Sequence, residues 1–194
     1  STKEALAAAR ASDRRLQTGE GLGVLDGVPF ALKDIIDAEG LATTAHSKIL
    51  KENIAKTDAQ VTQRLKRAGA IFMGKLATHE FACGGPCFDL PWPPARNPWN
   101  PNFFPGGSSS GPAAAVAAGF LPVAIGSDSA GSIRGPAALC GIVGMKPTYG
   151  RLSSQGVYPL AASLDTVGPM TRTVAENAVV LSVIAACDPN VAAP

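Results

Sequence analysis

The sequence is poor in the side chains that usually bind metal ions or pair as disulfides. It holds two histidines and four cysteines among 194 residues. Cys83 and Cys87 have three residues between them, and no second pair of ligands follows at the spacing of a zinc site; Cys140 and Cys187 stand apart. We therefore expect no metal and no cofactor, and free thiols of the kind that cytoplasmic proteins carry.

Charge and long apolar runs are also scarce. Charged residues make up 16% of the chain, the net charge is +2, and no run of one sign occurs. This composition gives no reason to expect a nucleic acid or an anionic membrane as a partner. The longest apolar run is too short and too broken to span a bilayer, and the start lacks the pattern of a signal peptide. The length suits a single domain, 1–194, with a proper core.

Two clusters of glycine and serine stand out in the middle of the chain. The first is GGSSSG at 106–111, and the second is GSDSAGS at 126–132. Between them, 112–118 is alanine-rich enough for a short helix, and 121–125 suits a buried strand. The clusters alone allow a flexible linker or a phosphate-binding loop. However, a linker has no need of the apolar run, and the lysine-serine or lysine-threonine pair that completes a P-loop is missing.

The rest of the chain alternates between helical and extended patterns, which is typical of an α/β domain. Leu6, Ala9 and Leu16 fall near one face of the first helix, Asp58 is expected to cap the second, and Thr173 the last. The predicted elements are a helix at 3–17, strands at 24–25 and 28–32 joined by a turn, a helix at 58–68, a strand at 70–73 and a helix at 174–186.

The motifs in this order resemble those of the amidase signature family, whose members hydrolyse or transfer the acyl group of amides. The resemblance includes GVPFALKD, GGSSSG, GSDSAGSIRGPAALCGIVGMKPTYGR and SLDTVGPMTRTV, and it extends from about residue 5 to about residue 186. It implies an α/β/α sandwich around a mixed, mostly parallel sheet. Family members usually continue beyond this length. We therefore expect the catalytic core of a larger enzyme or a naturally short version, with a homodimer as one way to cover exposed sheet edges.

The resemblance also implies a catalytic triad. Ser132 matches the family nucleophile, Ser108 the bridging serine that follows a cis peptide bond, and Lys33 the base. A serine hydroxyl is a weak nucleophile until a base takes its proton, and a lysine can do so only when neutral. Lys33 ends the apolar run 28–32, where burial would lower its pKa. On spacing alone Lys75 is an alternative base.

Three further features accompany the triad. The backbone N–H groups of Ser129, Ala130, Gly131 and Ser132 match the oxyanion hole, with Ala130 standing where many members carry glycine. Arg134 has two interpretations, binding a substrate carboxylate or pairing with the neighbouring aspartate to brace the loop. The loop 88–104 is rich in proline and aromatic residues, and its position before GGSSSG suggests that it walls the active site.

Three functions remain open at this point. The first is a cytoplasmic amidohydrolase that acts on a small-molecule amide, with no nucleic acid bound directly. The second is the amidase component of a tRNA-dependent amidotransferase, which makes ammonia from glutamine for a partner protein. The third is a binding or scaffolding module without activity.

Overall fold

The computed structural model describes residues 2–185. Within them lie five α-helices, five strands and one short 3-10 helix, Glu80–Ala82; the α-helices and strands alternate except that the fifth strand follows the fourth directly. Their bounds are α1 Thr2–Thr18, β1 Pro29–Lys33, α2 Gln60–Arg67, β2 Ile71–Leu76, α3 Ser110–Ala117, β3 Val123–Asp128, α4 Arg134–Cys140, β4 Val143–Gly144, β5 Thr166–Thr171 and α5 Val174–Ile184.

The five strands form one mixed sheet in the order β2-β1-β3-β5-β4. β1 runs parallel to both β2 and β3, whereas β5 runs antiparallel to β3 and β4. The carboxyl ends of β1, β2 and β3 therefore meet at one edge. This arrangement confirms the predicted α/β fold with a mixed sheet.

Helices cover the sheet on both faces because successive side chains of a strand point to opposite sides. Phe30 and Leu32 of β1 belong to the main core cluster, together with Leu65 of α2 and Ile184 of α5. Ala31, between them, packs instead with α3. A further cluster joins α3, α4 and β5. The sheet is thus the middle layer of a sandwich, as the resemblance implies.

Two predictions of strands were wrong in detail. The residues 24–25 lie in a turn, where Asp26 N–H donates to Gly23 O and Val28 N–H to Leu25 O, so no hairpin precedes β1. The second glycine-serine cluster does not follow its strand but supplies the end of it, because the strand runs from Val123 to Asp128. β5 was not predicted, since its glycine and proline hide the extended pattern.

The helix ends also differ in part from prediction. Asp58 does not cap α2; its carboxylate accepts hydrogen bonds from Lys66 Nζ and from Glu39 N–H instead. The expected apolar face of α1 is largely exposed, since Leu6 and Leu16 both lie among the exposed apolar residues, and the buried residue of this helix is Ser12. Thr173 caps α5 as predicted, through a reciprocal capping box with Glu176. The predicted end of that helix at 186, and Cys187, lie outside the described residues.

Candidate active site

The residues assigned by the resemblance meet at the edge where the parallel strands end. Lys33 is the last residue of β1, Ser108 lies two residues before α3, and Ser132 lies in the loop after β3, which ends at Asp128. Ligands of open α/β sheets bind outside the carboxyl ends of the strands. The fold therefore brings the candidate catalytic side chains to the edge of the sheet where a substrate is expected.

Lys33 is completely buried and lies against two serine hydroxyls. Its Nζ is 2.6 Å from Ser108 Oγ and 2.8 Å from Ser127 Oγ. Burial lowers the pKa of the Lys33 ammonium from 10.5 to about 7, although the negative charges of Asp128 and Asp165 act in the opposite direction. A large fraction of this lysine is therefore neutral near pH 7, as a general base requires.

The first glycine-serine cluster is held from several sides. The Gly107–Ser108 peptide bond is cis. His79 N–H donates to Ser108 O at 3.1 Å, and the His79 ring lies so close to Gly107 that an added Cβ would be 2.1 Å from Cε1. Ser109 N–H donates to Ser132 O at 3.2 Å. This last bond joins the segment of Ser108 directly to that of Ser132.

Ser132 is partly exposed at the start of the turn into α4. Its hydroxyl has no hydrogen-bond partner among residues 2–185, so the contact between Ser132 and Ser108 that a proton relay needs is not closed in this structure. Catalytic hydrogen bonds of unliganded enzymes are often open and tighten when substrate binds. The Ser132 hydroxyl is thus partly accessible to solvent and forms no hydrogen bond with residues 2–185.

Asp128 organises the loop that leads to Ser132. Its buried carboxylate accepts hydrogen bonds from the N–H groups of Gly131, Ile133 and Arg134, and from the Arg134 guanidinium at 2.9 Å through both Nε and Nη2. Burial raises the pKa of Asp128, but these bonds lower it to about 2 overall. Arg134 therefore braces the loop, which is one of its two interpretations.

The predicted oxyanion donors fall into two groups. Gly131 N–H already donates to Asp128 Oδ1 at 2.7 Å. The N–H groups of Ala130 and Ser132 have no acceptor within the described part of the chain. The side chain of Ser129 is hydrogen-bonded to Asp165, whose other oxygen accepts from two further backbone N–H groups. The loop is thus fixed at both ends, with at least two donors still available.

Lys75 is engaged elsewhere. It lies within β2, and its Nζ forms a 2.9 Å ion pair with Asp34 and a 3.1 Å hydrogen bond with Thr43 Oγ1. Lys33, rather than Lys75, contacts Ser108. Spacing alone allowed either lysine to be the base. Their partners distinguish them, because only Lys33 is hydrogen-bonded to Ser108.

The loop 88–104 has no helix or strand, as predicted, and side-chain bonds attach it to its surroundings. Trp92 O lies 3.0 Å from His46 Nε2, and Trp99 Nε1 donates to Cys140 O at 2.8 Å. Asn97 Nδ2 donates to Leu139 O, so the loop is fastened to α4, which follows Ser132.

Two cavities differ in their relation to these residues. A groove of about 680 Å³ lies among α1, the turn at 24–27 and α5, at the opposite ends of β1 and β3 from Lys33. A small cavity of about 70 Å³ is lined by Ser127, Asp165 and Tyr158. The small cavity, and not the large groove, adjoins the candidate active site.

Metal-binding clusters and membrane-spanning helices are both absent from residues 2–185. No group of three or more histidine, cysteine or acidic side chains in this range is placed to hold a metal ion. No helix in the same range is both long enough and apolar enough to cross a membrane.

Sequence reasoning overlooked several residues of this site. Ser127, Asp165 and Ser109 were given no role, although each contacts a predicted site residue or its segment. Ser127 and Ser109 lie inside the two clusters, so the available signal was that each cluster holds further serines besides the one assigned a role. Asp165 lies in the motif SLDTVGP, but its distance of 36 residues from Ser129 in the sequence concealed the contact.

Comparison with known proteins places the chain in a family. The family model described as Amidase matches residues 1–193. The A subunit of the glutamyl-tRNA(Gln) amidotransferase of Chloroflexus aurantiacus is 54% identical over 185 residues, which cover 95% of this chain and 38% of that protein. The structure of the native peptide amidase of Stenotrophomonas maltophilia aligns with a TM-score of 0.86 at 42% identity, covering 96% of this chain and 39% of the other.

A second solved structure is similar, that of the A subunit of the glutamyl-tRNA(Gln) amidotransferase of Thermotoga maritima. Its TM-score is 0.81 at 45% identity, and the alignment covers 85% of this chain and 36% of that one. The chain belongs to the amidase family, and the expected resemblance is confirmed. It spans about 38% of the length of the curated relatives that it matches.

Proposed function

We propose that this chain is the catalytic core of an amidohydrolase, with Ser132 as nucleophile, Ser108 as proton relay and Lys33 as base. The observation that carries the proposal is the buried contact of 2.6 Å between Lys33 Nζ and Ser108 Oγ. A lysine whose pKa lies near 7, placed against a serine, is an unusual and costly arrangement. Membership of the amidase family supplies the reaction class.

The mechanism follows from the positions of the three side chains. Neutral Lys33 accepts the hydroxyl proton of Ser108, which accepts that of Ser132 as Ser132 Oγ attacks the amide carbonyl. The oxyanion of the tetrahedral intermediate is stabilised by free backbone N–H groups of the loop after β3, Ala130 and Ser132 among them. Losing one such donor typically costs about 3 to 4 kcal/mol of barrier.

The second half of the reaction uses the same groups in reverse. Protonated Lys33 returns a proton through Ser108 to the departing amine as the C–N bond breaks. The acyl group then remains on Ser132 as an ester. Water, deprotonated along the same route, attacks the ester and releases the carboxylic acid, which restores the free serine.

The test is labelling of the purified chain with a fluorophosphonate, followed by peptide mapping. We expect the label on Ser132 and a labelling rate that rises with pH through about 7, because Lys33 must be neutral to act. Lys33→Ala and Ser108→Ala should abolish labelling. Lys75→Met is the matched control and should keep it, since Lys75 pairs with Asp34 instead.

A folded, monodisperse sample that takes up no label would contradict the proposal. Such a result would favour the third hypothesis, a binding or scaffolding module. Labelling at another serine would contradict the assignment of the nucleophile but not the reaction class.

A second candidate is the glutamine-hydrolysing component of a tRNA-dependent amidotransferase. The relatives named as the A subunit of glutamyl-tRNA(Gln) amidotransferase, at up to 54% identity, favour it. A glutaminase assay on the chain alone and with any protein that co-purifies would decide between the two. Release of ammonia from glutamine, and not from simple aryl or peptide amides, would support this second candidate.

A further inference from the structure

We propose that Ser127 is a positioning residue for the base, holding Lys33 Nζ so that its lone pair is directed at Ser108 Oγ. This inference rests on the proposed function, because it requires Lys33 to act as a base. Ser127 itself need not touch the substrate. Its hydroxyl acts through Lys33 alone.

The contacts of Lys33 Nζ lead to this role. A neutral amine has two N–H groups and one lone pair, and it can rotate about its last carbon–nitrogen bond. Within residues 2–185, the hydrogen-bond partners of Nζ are Ser108 Oγ at 2.6 Å and Ser127 Oγ at 2.8 Å. If Ser127 Oγ accepts one N–H, the rotation is restricted and the lone pair can remain on the side of Ser108.

Ser127 is well suited to this task because its own position is fixed. It lies in β3, opposite Val167 of β5, and is buried. Its N–H donates to Ser109 Oγ at 3.2 Å, and its carbonyl accepts the Ser109 hydroxyl at 3.1 Å. Ser109 N–H also donates to Ser132 O. The acceptor of Lys33 and the segment of the nucleophile are therefore held by one buried serine.

The electrostatic effect of Ser127 on Lys33 has a definite sign. An acceptor favours the ammonium over the amine, so its removal should lower the pKa of Lys33 further. The charged and titratable groups that act on Lys33 are Asp128 and Asp165, and Lys33 in turn acts on His79. These groups are unchanged by substitution at Ser127. In contrast, a loosened site would admit water and would move the pKa upward, toward 10.5.

The experiment compares three substitutions of Ser127 by the kinetics of fluorophosphonate labelling of Ser132. Ser127→Thr keeps the hydroxyl and adds a methyl group. Ser127→Val has the shape of threonine but no hydroxyl, and Ser127→Ala removes the hydroxyl without adding a methyl group. The adjoining cavity of about 70 Å³ leaves room for the added methyl group. Ser110→Ala is the matched control, because Ser110 is an equally buried serine of the neighbouring cluster whose Oγ lies near Ala77 O at 3.5 Å, not near Lys33.

Two quantities are measured from about pH 5 to about pH 10: the maximal labelling rate, kinact, and the probe concentration that gives half of that rate, KI. We expect kinact to fall about tenfold in Ser127→Ala and Ser127→Val, the effect of one lost hydrogen bond, with KI unchanged. The acid limb of the profile should move to lower pH by about one pH unit. Ser127→Thr and Ser110→Ala should match the parent chain in rate and profile.

Three results would overturn the inference. The first is an equal kinact in Ser127→Thr and Ser127→Val. This comparison tests the role of the hydroxyl even if Ser127→Ala does not fold. The second is an acid limb that moves to higher pH, and the third is a change in KI alone, since both indicate a general structural role. If the parent chain itself is not labelled, the proposed function fails instead, so the two failures are distinguishable.

Discussion

Replacing Lys33 by methionine should change how the stability of the protein depends on pH. Lys33 is fully buried, and its burial lowers the pKa of the ammonium from 10.5 to about 7. Methionine has a similar shape and no charge. The difference between the parent chain and Lys33→Met therefore isolates the free energy of keeping this one amine in the core.

The sign and size follow from the two pKa values. Between pH 7 and pH 10.5 the unfolded lysine binds a proton that the folded lysine has largely released. The free energy of unfolding of the parent chain should therefore rise with pH through this range. From about pH 6 to about pH 9 the gain is about 2 to 3 kcal/mol, and it approaches about 5 kcal/mol over the full range.

The assay is urea unfolding of both chains at several pH values, followed by tryptophan fluorescence. The difference in free energy of unfolding, Lys33→Met minus parent, should be largest near pH 6 and should shrink as the pH rises. Lys51→Met is the control for loss of an exposed lysine and should follow the parent chain. A difference that stays constant within about 0.5 kcal/mol would refute the claim that burial holds Lys33 neutral near pH 7.

Other substitutions test the hydrogen bonds, close packing and helix cap that support the site and the fold. Asp128→Asn should lower the free energy of unfolding by about 3 kcal/mol and slow fluorophosphonate labelling, because an amide cannot accept all the hydrogen bonds of the buried carboxylate; unchanged unfolding and labelling would contradict this. Gly111→Ala should cost about 1 to 3 kcal/mol, since its Cβ would lie 2.5 Å from Ala77 N, whereas Gly135→Ala, with nothing within 4 Å, should cost nothing. Thr173→Ala should cost about 1 kcal/mol by removing the cap of α5, and an unaltered urea midpoint would count against the capping box.

Local patterns in the sequence were enough to predict much of the fold. The periodicity of α2 and the cap of α5 at Thr173 depend on neighbours within one or two turns. The apolar run before Lys33 predicted a buried strand, whereas the burial of Lys33 itself was expected only from the resemblance, because a lysine at a strand end is more often solvated. Such features are visible because their causes lie close together in the chain.

The ambiguous elements needed the tertiary structure. Residues 24–25 are apolar like a strand, but they lie in a turn whose backbone hydrogen bonds join residues of the same turn rather than a neighbouring strand. β5 contains glycine and proline, and it is a strand because β3 and β4 pair with it on either side. Strand formation of this kind depends on partners distant in sequence more than on intrinsic preference.

The sequence by itself determined which side chains are candidates for the chemistry, since the two serine clusters and the ALKD motif supply two hydroxyls and one amine. The tertiary structure alone decided which lysine meets Ser108, because Lys33 and Lys75 both lie at or near the end of a parallel strand. The tertiary structure also brings Ser127, 94 residues away in the sequence, into hydrogen-bond contact with Lys33. Burial and contact distance control a lysine pKa, and both arise only when the sheet brings distant segments together.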